Sequence, residues 1–263
     1  MRDSGIAKAI EAVGGVGALA RKIGIAQPSV SNWSRVPAER VIAVETATGV
    51  HRSVLRPDLY GAPVDASVIA LADIDELDMA RSRQYALLAV LLARAPDAEL
   101  LMRVATLRGE ASPLGLAQAA LGEAAAAANV ARIEREFFEL FIGIGRGELL
   151  PYASFYLTGF LNERPLARVR ADLERSGIER INGYSEPEDH AAVLCEVMAG
   201  LVDGRFGTAP GADREFFERH LLPWIGRFFA DLEQARAAEF YRCVAALGRT
   251  FVAIESEAFT LAA

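Results

Sequence analysis

The chain of 263 residues is 52% hydrophobic and 24% charged, the profile of a folded globular protein long enough for one large domain or two unequal ones. Two cysteines exclude a disulfide framework or a zinc module, and no apolar run approaches the length of a membrane span. The net charge of −7 is divided unevenly: residues 1–64 hold 8 Lys and Arg against 5 Asp and Glu, the remainder 20 against 30. A mildly basic head on an acidic body points to nucleic acid for the first and a cationic partner for the second.

The opening "MRDSGIAKAIEAVGG" mixes charges and glycines where an export signal would place an apolar run, so a cytoplasmic protein without membrane insertion is expected. "GALARKIGIAQPSVSNWSR" then reads as two short helices joined by a tight turn. The first, Gly17 to Ile23, turns Leu19, Ala20 and Ile23 to one face and stops at Gly24, a residue that tolerates the left-handed backbone of a helix end. The second starts near Gln27 and Pro28, an early helical place where proline loses no hydrogen bond. Val30 and Trp33 face inward, which leaves Gln27, Ser29, Ser31, Asn32 and Arg35 outward. Those residue types bond adenine edges, guanine or phosphate, and a helix so placed enters the major groove. A further helix runs through "VPAERVIAVETATGV", with Pro37 near its start and Gly49 at its end.

Proline and glycine punctuate "GAPVDASVIALADI", so residues 61–74 are predicted to be a linker. Beyond it the periodicity is helical almost throughout, and convincing strand alternation is absent. The five alanines Ala124 to Ala128 suit a plain helix. Val130, Ile133, Phe137, Leu140 and Phe141 share one face; so do Phe217, Leu221, Trp224 and Phe228, and so do Phe240, Val244, Leu247, Phe251 and Ile254. Cys195 and Cys243 fall within such stripes and are expected to be buried free thiols. The fold class expected is all-α: a small helix-turn-helix domain over 1–60, then a compact all-helical domain over 75–263.

Chemistry-bearing motifs are few. "GIGRG", Gly143 to Gly147, has neither a preceding strand nor a following Lys-Ser/Thr and reads as a helix-ending turn rather than a phosphate loop. The stretch "GYSEPEDHAA", Gly183 to Ala192, concentrates Glu186, Pro187, Glu188, Asp189 and His190 ahead of an apolar run. One reading is structural: Pro187 in a first helical turn, Ser185 or Glu186 as cap, and the apolar stripe His190, Leu194, Val197 and Leu201 below. The other is a docking point for a cationic partner. For His190 both readings stand: a groove residue beside Asp189, or a core histidine. Trp224 and Phe228 are assigned to the core, and His220 to a cap or to packing beside Pro223. With no nucleophile pattern, metal-ligand spacing or cofactor grip, binding without catalysis, metal or cofactor is expected.

Two resemblances sharpen this. "ALARKIGIAQPSVSNWSRVPAERVIAVETATG…LRPDLYG" resembles the YdaS-like, Cro-type helix-turn-helix of phage and bacterial regulators, which implies DNA binding, usually as a homodimer. "EREFFELFIGIGRGELLPYASFYLTG" (Glu134 to Gly159), "EPEDH" and the closing helices "FFERHLLPWIGRFFADLE" and "AEFYRCVAALGRTFVAIE" resemble the TorD/DmsD/NarJ-type chaperones over residues 75–257. These chaperones mature molybdenum-cofactor oxidoreductases of the DMSO reductase family. The resemblance implies that this chain binds a molybdoenzyme precursor, often through its twin-arginine signal peptide. Glu186 and Asp189 would meet the guanidinium groups, with Pro187 and His190 beside them; Tyr152, Ser154 and Tyr156 would shape a groove lined also by Phe155 and Phe160. The fusion leaves a second reading open, a transcriptional regulator whose chaperone-like body is a sensor or dimerisation module.

Overall fold

The computed structural model describes residues 3–60, 76–179 and 186–261. It divides into two compact units, Met1–Ala70 and Leu71–Ala263. The linker expected over 61–74 lies outside the described residues, as does Ser185. All named elements are helical, as the periodicity requires.

The first unit contains α1 (Ser4–Ala12), α2 (Val16–Lys22), α3 (Gln27–Ser31), α4 (Val41–Thr48), α5 (Arg52–Leu55) and α6 (Pro57–Tyr60). Asp3 caps α1 by accepting the Ile6 N–H at 3.0 Å. Gly24 takes φ 69° after α2, the stop expected of it. Ile6, Leu19, Val30, Val41, Val44 and Leu55 close a small core, with Trp33 packed on its edge. Beside this core, Arg56 donates to the Val36 carbonyl and to both oxygens of Asp58.

The second unit begins with α7 (Glu76–Ala93), α8 (Ala98–Val104), α9 (Pro113–Ala126) and α10 (Val130–Phe137). It continues through α11 (Ala153–Thr158), α12 (Arg164–Arg175), α13 (Ala191–Val202), α14 (Ala212–Phe216), α15 (Ile225–Gln234) and α16 (Phe240–Leu261). Two π turns, Phe138–Ile142 and Phe217–Leu221, extend α10 and α14. The sequence of α13, "AAVLCEVMAGLV", is apolar on every side, so the helix is central: it packs along α7, and only Val193 and Glu196 escape full burial. α15 lies along α16, and a Cβ on Gly248 would fall 2.3 Å from the Phe229 ring, so this approach needs glycine.

The aromatic stripes land as the spacing predicts. Phe217, Leu221, Trp224 and Phe228 are buried, and so are Phe240, Val244, Leu247 and Phe251. Ile254 is not: the buried face continues through Val252 and Glu255, so Ile254 turns away from it and is 42% exposed. Cys195 is buried in the core, where burial pushes its thiol up to about 12, while Cys243 is only half-buried; both are free. Gly143 ends the first π turn, so "GIGRG" is a turn.

Two carboxylate arrangements hold distant parts of this unit together. Glu136 on α10 accepts three backbone N–H groups, from Glu239, Phe240 and Tyr241, and thereby caps the long α16. Arg81 on α7 bonds Glu255 on α16 at 2.8 Å, Asp213 on α14 at 2.9 Å and Asp78 at 2.7 Å, and Tyr85 donates to the same Glu255.

Candidate functional site

The acidic stretch and the 152–160 segment, 34 residues and more apart, meet in space. A single antiparallel bridge joins Tyr152 to His190. The Ala153 N–H donates to the Asp189 carbonyl at 3.0 Å and the Ala191 N–H to the Pro151 carbonyl at 2.8 Å. His190 is thus held extended at the bridge, directly after the turn closed by its N–H to the Pro187 carbonyl, and α13 starts at Ala191.

This geometry corrects the expected helix start. Pro187 is not in the first turn, and neither Glu186 nor any other acid lies there. The cap is His190, whose Nδ1 accepts the Ala192 N–H at 3.0 Å. That bond requires an unprotonated Nδ1. Burial depresses the ring's pKa to about 4, against the opposing pull of Glu186 and Asp189. His190 is therefore a capping residue with 5% exposure, and its ring stands edge-on to Tyr152.

Asp189 is 1% exposed. Its Oδ2 accepts the Ser154 N–H at 2.8 Å, in the first turn of α11. Carbonyl and carboxylate of one residue thus satisfy two N–H groups at the start of a helix that lacks a cap of its own. Asp189 Oδ2 is thus engaged by backbone and shielded from solvent. Ser154 is fully buried, and its hydroxyl accepts the Glu163 N–H at 3.2 Å. Tyr152 and Glu186 lie further out: the Tyr152 hydroxyl donates to Glu186 Oε2 at 2.6 Å, and burial together with that carboxylate raises the phenol's pKa. Glu188 points away from α11 and pairs with Arg170 of α12 at 2.7 Å.

The aromatic residues divide in the same way. Tyr156 packs on Trp224 and Phe228 and belongs largely to the core. Phe155 is half-buried under the Arg146 guanidinium, 5.1 Å from its ring centroid. Leu157, Phe160 and Leu161 are exposed at the far end of α11, Phe160 by 69%. The groove lining expected from Tyr152, Phe155, Tyr156 and Phe160 is thus split between a packed inner half and an exposed outer half. His220, expected beside Pro223, instead places Nε2 2.8 Å from Asp172 Oδ2. Burial raises the Asp172 pKa, but hydrogen bonds from Arg219, His220 and Arg175 outweigh it and hold the acid at about 2.

In the first unit, Gln27, Ser29, Ser31, Asn32 and Arg35 are all exposed, while Val30 is buried. Their side chains do not project equally. A Cβ on Gly17 would sit 3.3 Å from the Gln27 Oε1, so the Gln27 amide lies back over α2. Arg35 leans on carboxylates, 3.3 Å from Asp58 and 3.8 Å from Asp3.

The two units are a helix-turn-helix head and an all-helical body whose acidic motif organises backbone. Among the described residues no helix is long and apolar enough to cross a membrane. Residues 108–230 match the family model described as nitrate reductase delta subunit, and residues 6–64 match the one described as bacterial toxin YdaS. Both resemblances read from the motifs are therefore borne out. Chaperone protein TorD of Vibrio cholerae is 31% identical over 126 residues, 44% of this chain and 57% of that protein. Chaperone protein TorD of Aliivibrio fischeri is 28% identical over 133 residues, 47% of this chain and 62% of that one. The chain thus spans less than two thirds of the length of these relatives. A solved structure titled as a putative redox enzyme maturation protein from Archaeoglobus fulgidus aligns at 20% identity with TM-score 0.45, covering 66% of this chain and 93% of that one.

Proposed function

We propose that the Leu71–Ala263 unit is a maturation chaperone that binds a molybdenum-cofactor oxidoreductase precursor, and that the Met1–Ala70 unit binds DNA. The observation that carries the first part is the match of residues 108–230 to the nitrate reductase delta subunit family, with chaperones named TorD among the relatives. The geometry supports binding: Asp189, Ser154 and His190 fix α11 against α13 and leave Tyr152, Glu186 and the exposed Leu157, Phe160 and Leu161 as the surface offered to a client. The client's twin-arginine signal peptide, where it carries one, supplies guanidinium groups that pair with carboxylate in planar, two-point fashion. The chaperone acts before export, in the cytoplasm.

Copurification tests this. The tagged full chain, expressed with its neighbouring genes, is expected to retain a molybdoenzyme precursor identified by mass spectrometry. Recovery of none from cells that make such an enzyme refutes the reading.

The exposed Ser29, Ser31 and Asn32 beside a buried Val30, together with the YdaS match, favour a second reading, a homodimeric transcriptional regulator with the helical body as sensor. Recovery of operator DNA without a precursor supports it. Where both partners are recovered, gel-shift titrations with and without precursor measure whether the units are coupled.

A further inference from the structure

The head carries two kinds of exposed cation. Lys8, Arg21, Lys22 and Arg40 form no ion pair among the described residues, so their charge is available to neutralise phosphate. Arg35, just past the end of α3 and Asn32, stands instead between two carboxylates. Its Nη1 lies 3.3 Å from Asp58 Oδ2 and its Nε 3.8 Å from Asp3 Oδ2. Its Nη2 has no partner among the described residues.

Neither acid is put in place by Arg35. Asp3 caps α1 through the Ile6 N–H at 3.0 Å, and its own N–H donates to the Ser34 carbonyl at 2.7 Å. Asp58 takes two hydrogen bonds of 2.8 Å from Arg56, one to each oxygen, and Arg56 is itself buried and tied to the Val36 carbonyl at 2.8 Å. Those bonds hold the Asp58 carboxyl at about 2, so it is charged at neutral pH. The two carboxylates are thus a fixed frame around a guanidinium that is 57% exposed. An exposed pair of this kind adds little to stability, so the fold does not require Arg35 to sit there.

The consequence falls on recognition. A phosphate brought to Arg35 is repelled by two carboxylates that lie within 3.8 Å of the guanidinium. A neutral acceptor pair, such as O6 and N7 of guanine, meets the same donors without that repulsion. The frame also restricts a long side chain before it binds, which lessens the rotamer freedom lost on contact. We propose that Arg35 reads the acceptor edge of a guanine rather than a phosphate, and that Asp3 and Asp58 are the positioning residues that set this preference. The proposal rests on the DNA-binding reading of the Met1–Ala70 unit and names the base chemistry of that site.

Gel shifts with the full chain over a range of salt test this. The probes are a duplex enriched by the full chain from a random-sequence pool, and the unselected pool itself. Arg35→Gln is expected to weaken the enriched duplex by about ten- to a hundredfold and the pool by less than about twofold, with the salt slope on the pool unchanged. Arg35→Lys keeps the charge but not the two-point edge, and should lose nearly as much on the enriched duplex. Exchange of guanines for 7-deazaguanine, position by position, should weaken the parent by about tenfold where Arg35 reads, and Arg35→Gln no further at that position. Asp3→Asn keeps a cap acceptor for α1 but removes a carboxylate; it should tighten the pool by about two- to threefold and steepen its salt slope. A loss shared equally by enriched duplex and pool, with a salt slope shallower by about one, makes Arg35 a phosphate contact and overturns the proposal. Equal affinity of parent and Arg35→Gln for the enriched duplex overturns it too, as does full rescue by Arg35→Lys. Each of these leaves the DNA reading standing. A full chain that enriches no duplex and does not bind the pool at low salt refutes the DNA reading, and the role of Arg35 with it.

Discussion

Replacing Asp189 separates structure from recognition in the acidic motif. In Asp189→Ala the Ser154 N–H, donated at 2.8 Å from a fully buried residue, is left without its acceptor. An orphaned buried donor costs about 1–3 kcal/mol, and loss of a capping side chain about 0.5–2 kcal/mol. Both figures describe the same bond, so the expected destabilisation is about 2 kcal/mol, not their sum. Asp189→Asn keeps an acceptor but loses the charge, and should lose about half as much. Glu186→Gln, which retains an oxygen for the Tyr152 hydroxyl on a half-buried side chain, should change stability by less than about 1 kcal/mol. Urea titration followed by far-ultraviolet circular dichroism measures all three. Hydrogen exchange of the Ser154 amide, read by NMR, localises the effect to the start of α11. An Asp189→Ala protein with an unshifted urea midpoint and a Ser154 amide as protected as in the parent would refute the capping assignment. In that case Asp189 would again be free to act as a client-binding acid.

Four further outcomes follow from the same contacts. Arg81→Met leaves Glu255, 2% exposed, without its cationic partner and should destabilise the body by about 3–5 kcal/mol, measured as a lower urea midpoint. His190 is depressed from 6.5 to about 4, so its contribution is complete above pH 6.5 and is lost as pH falls toward 4. Between pH 7 and pH 5 that is about 2 kcal/mol, and His190→Asn, which keeps a capping acceptor, should flatten the pH dependence of the urea midpoint. Glu136→Ala frees three N–H groups at the head of α16 and should cost about 3 kcal/mol, seen as faster exchange at Tyr241. In the head, Asn32→Ala should lower affinity for a selected operator by about 1–3 kcal/mol in gel shifts while leaving affinity for random DNA almost unchanged; an equal loss on both would reject base reading by Asn32.

What could be read in the sequence was whatever depends on neighbours within a turn or two. The stripe Phe217, Leu221, Trp224, Phe228 predicts its own burial because the period of a helix is local. Val30 inward with Ser29 and Ser31 outward follows from the same rule applied over one turn. The acidic motif failed at this level because its partners lie 34 and 35 residues away in the chain. Local rules seek a cap among the polar residues just ahead of the same helix, so they chose Ser185 or Glu186. They had no means of seeing that a bridge to Tyr152 delays the helix to Ala191 and passes the capping role to a histidine. Glu136, 103 to 105 residues from the N–H groups it holds, lies further outside the reach of such rules.

The acids of this body therefore sort by depth. Those most deeply placed, Glu136, Asp189 and Glu255, accept from backbone or from Arg81 and Tyr85 and fix how helices meet. Glu186 and Glu188, at the edge of the same core, each hold one described partner, Tyr152 and Arg170. Glu174 and Glu179 on the outside form no ion pair among the described residues. A buried carboxylate bonded to backbone gains nothing from a passing guanidinium that would have to strip those bonds first, whereas an exposed one exchanges only water. The deepest acid of the motif consequently holds the start of α11 against the start of α13, while Glu174 and Glu179 stay on the exposed surface.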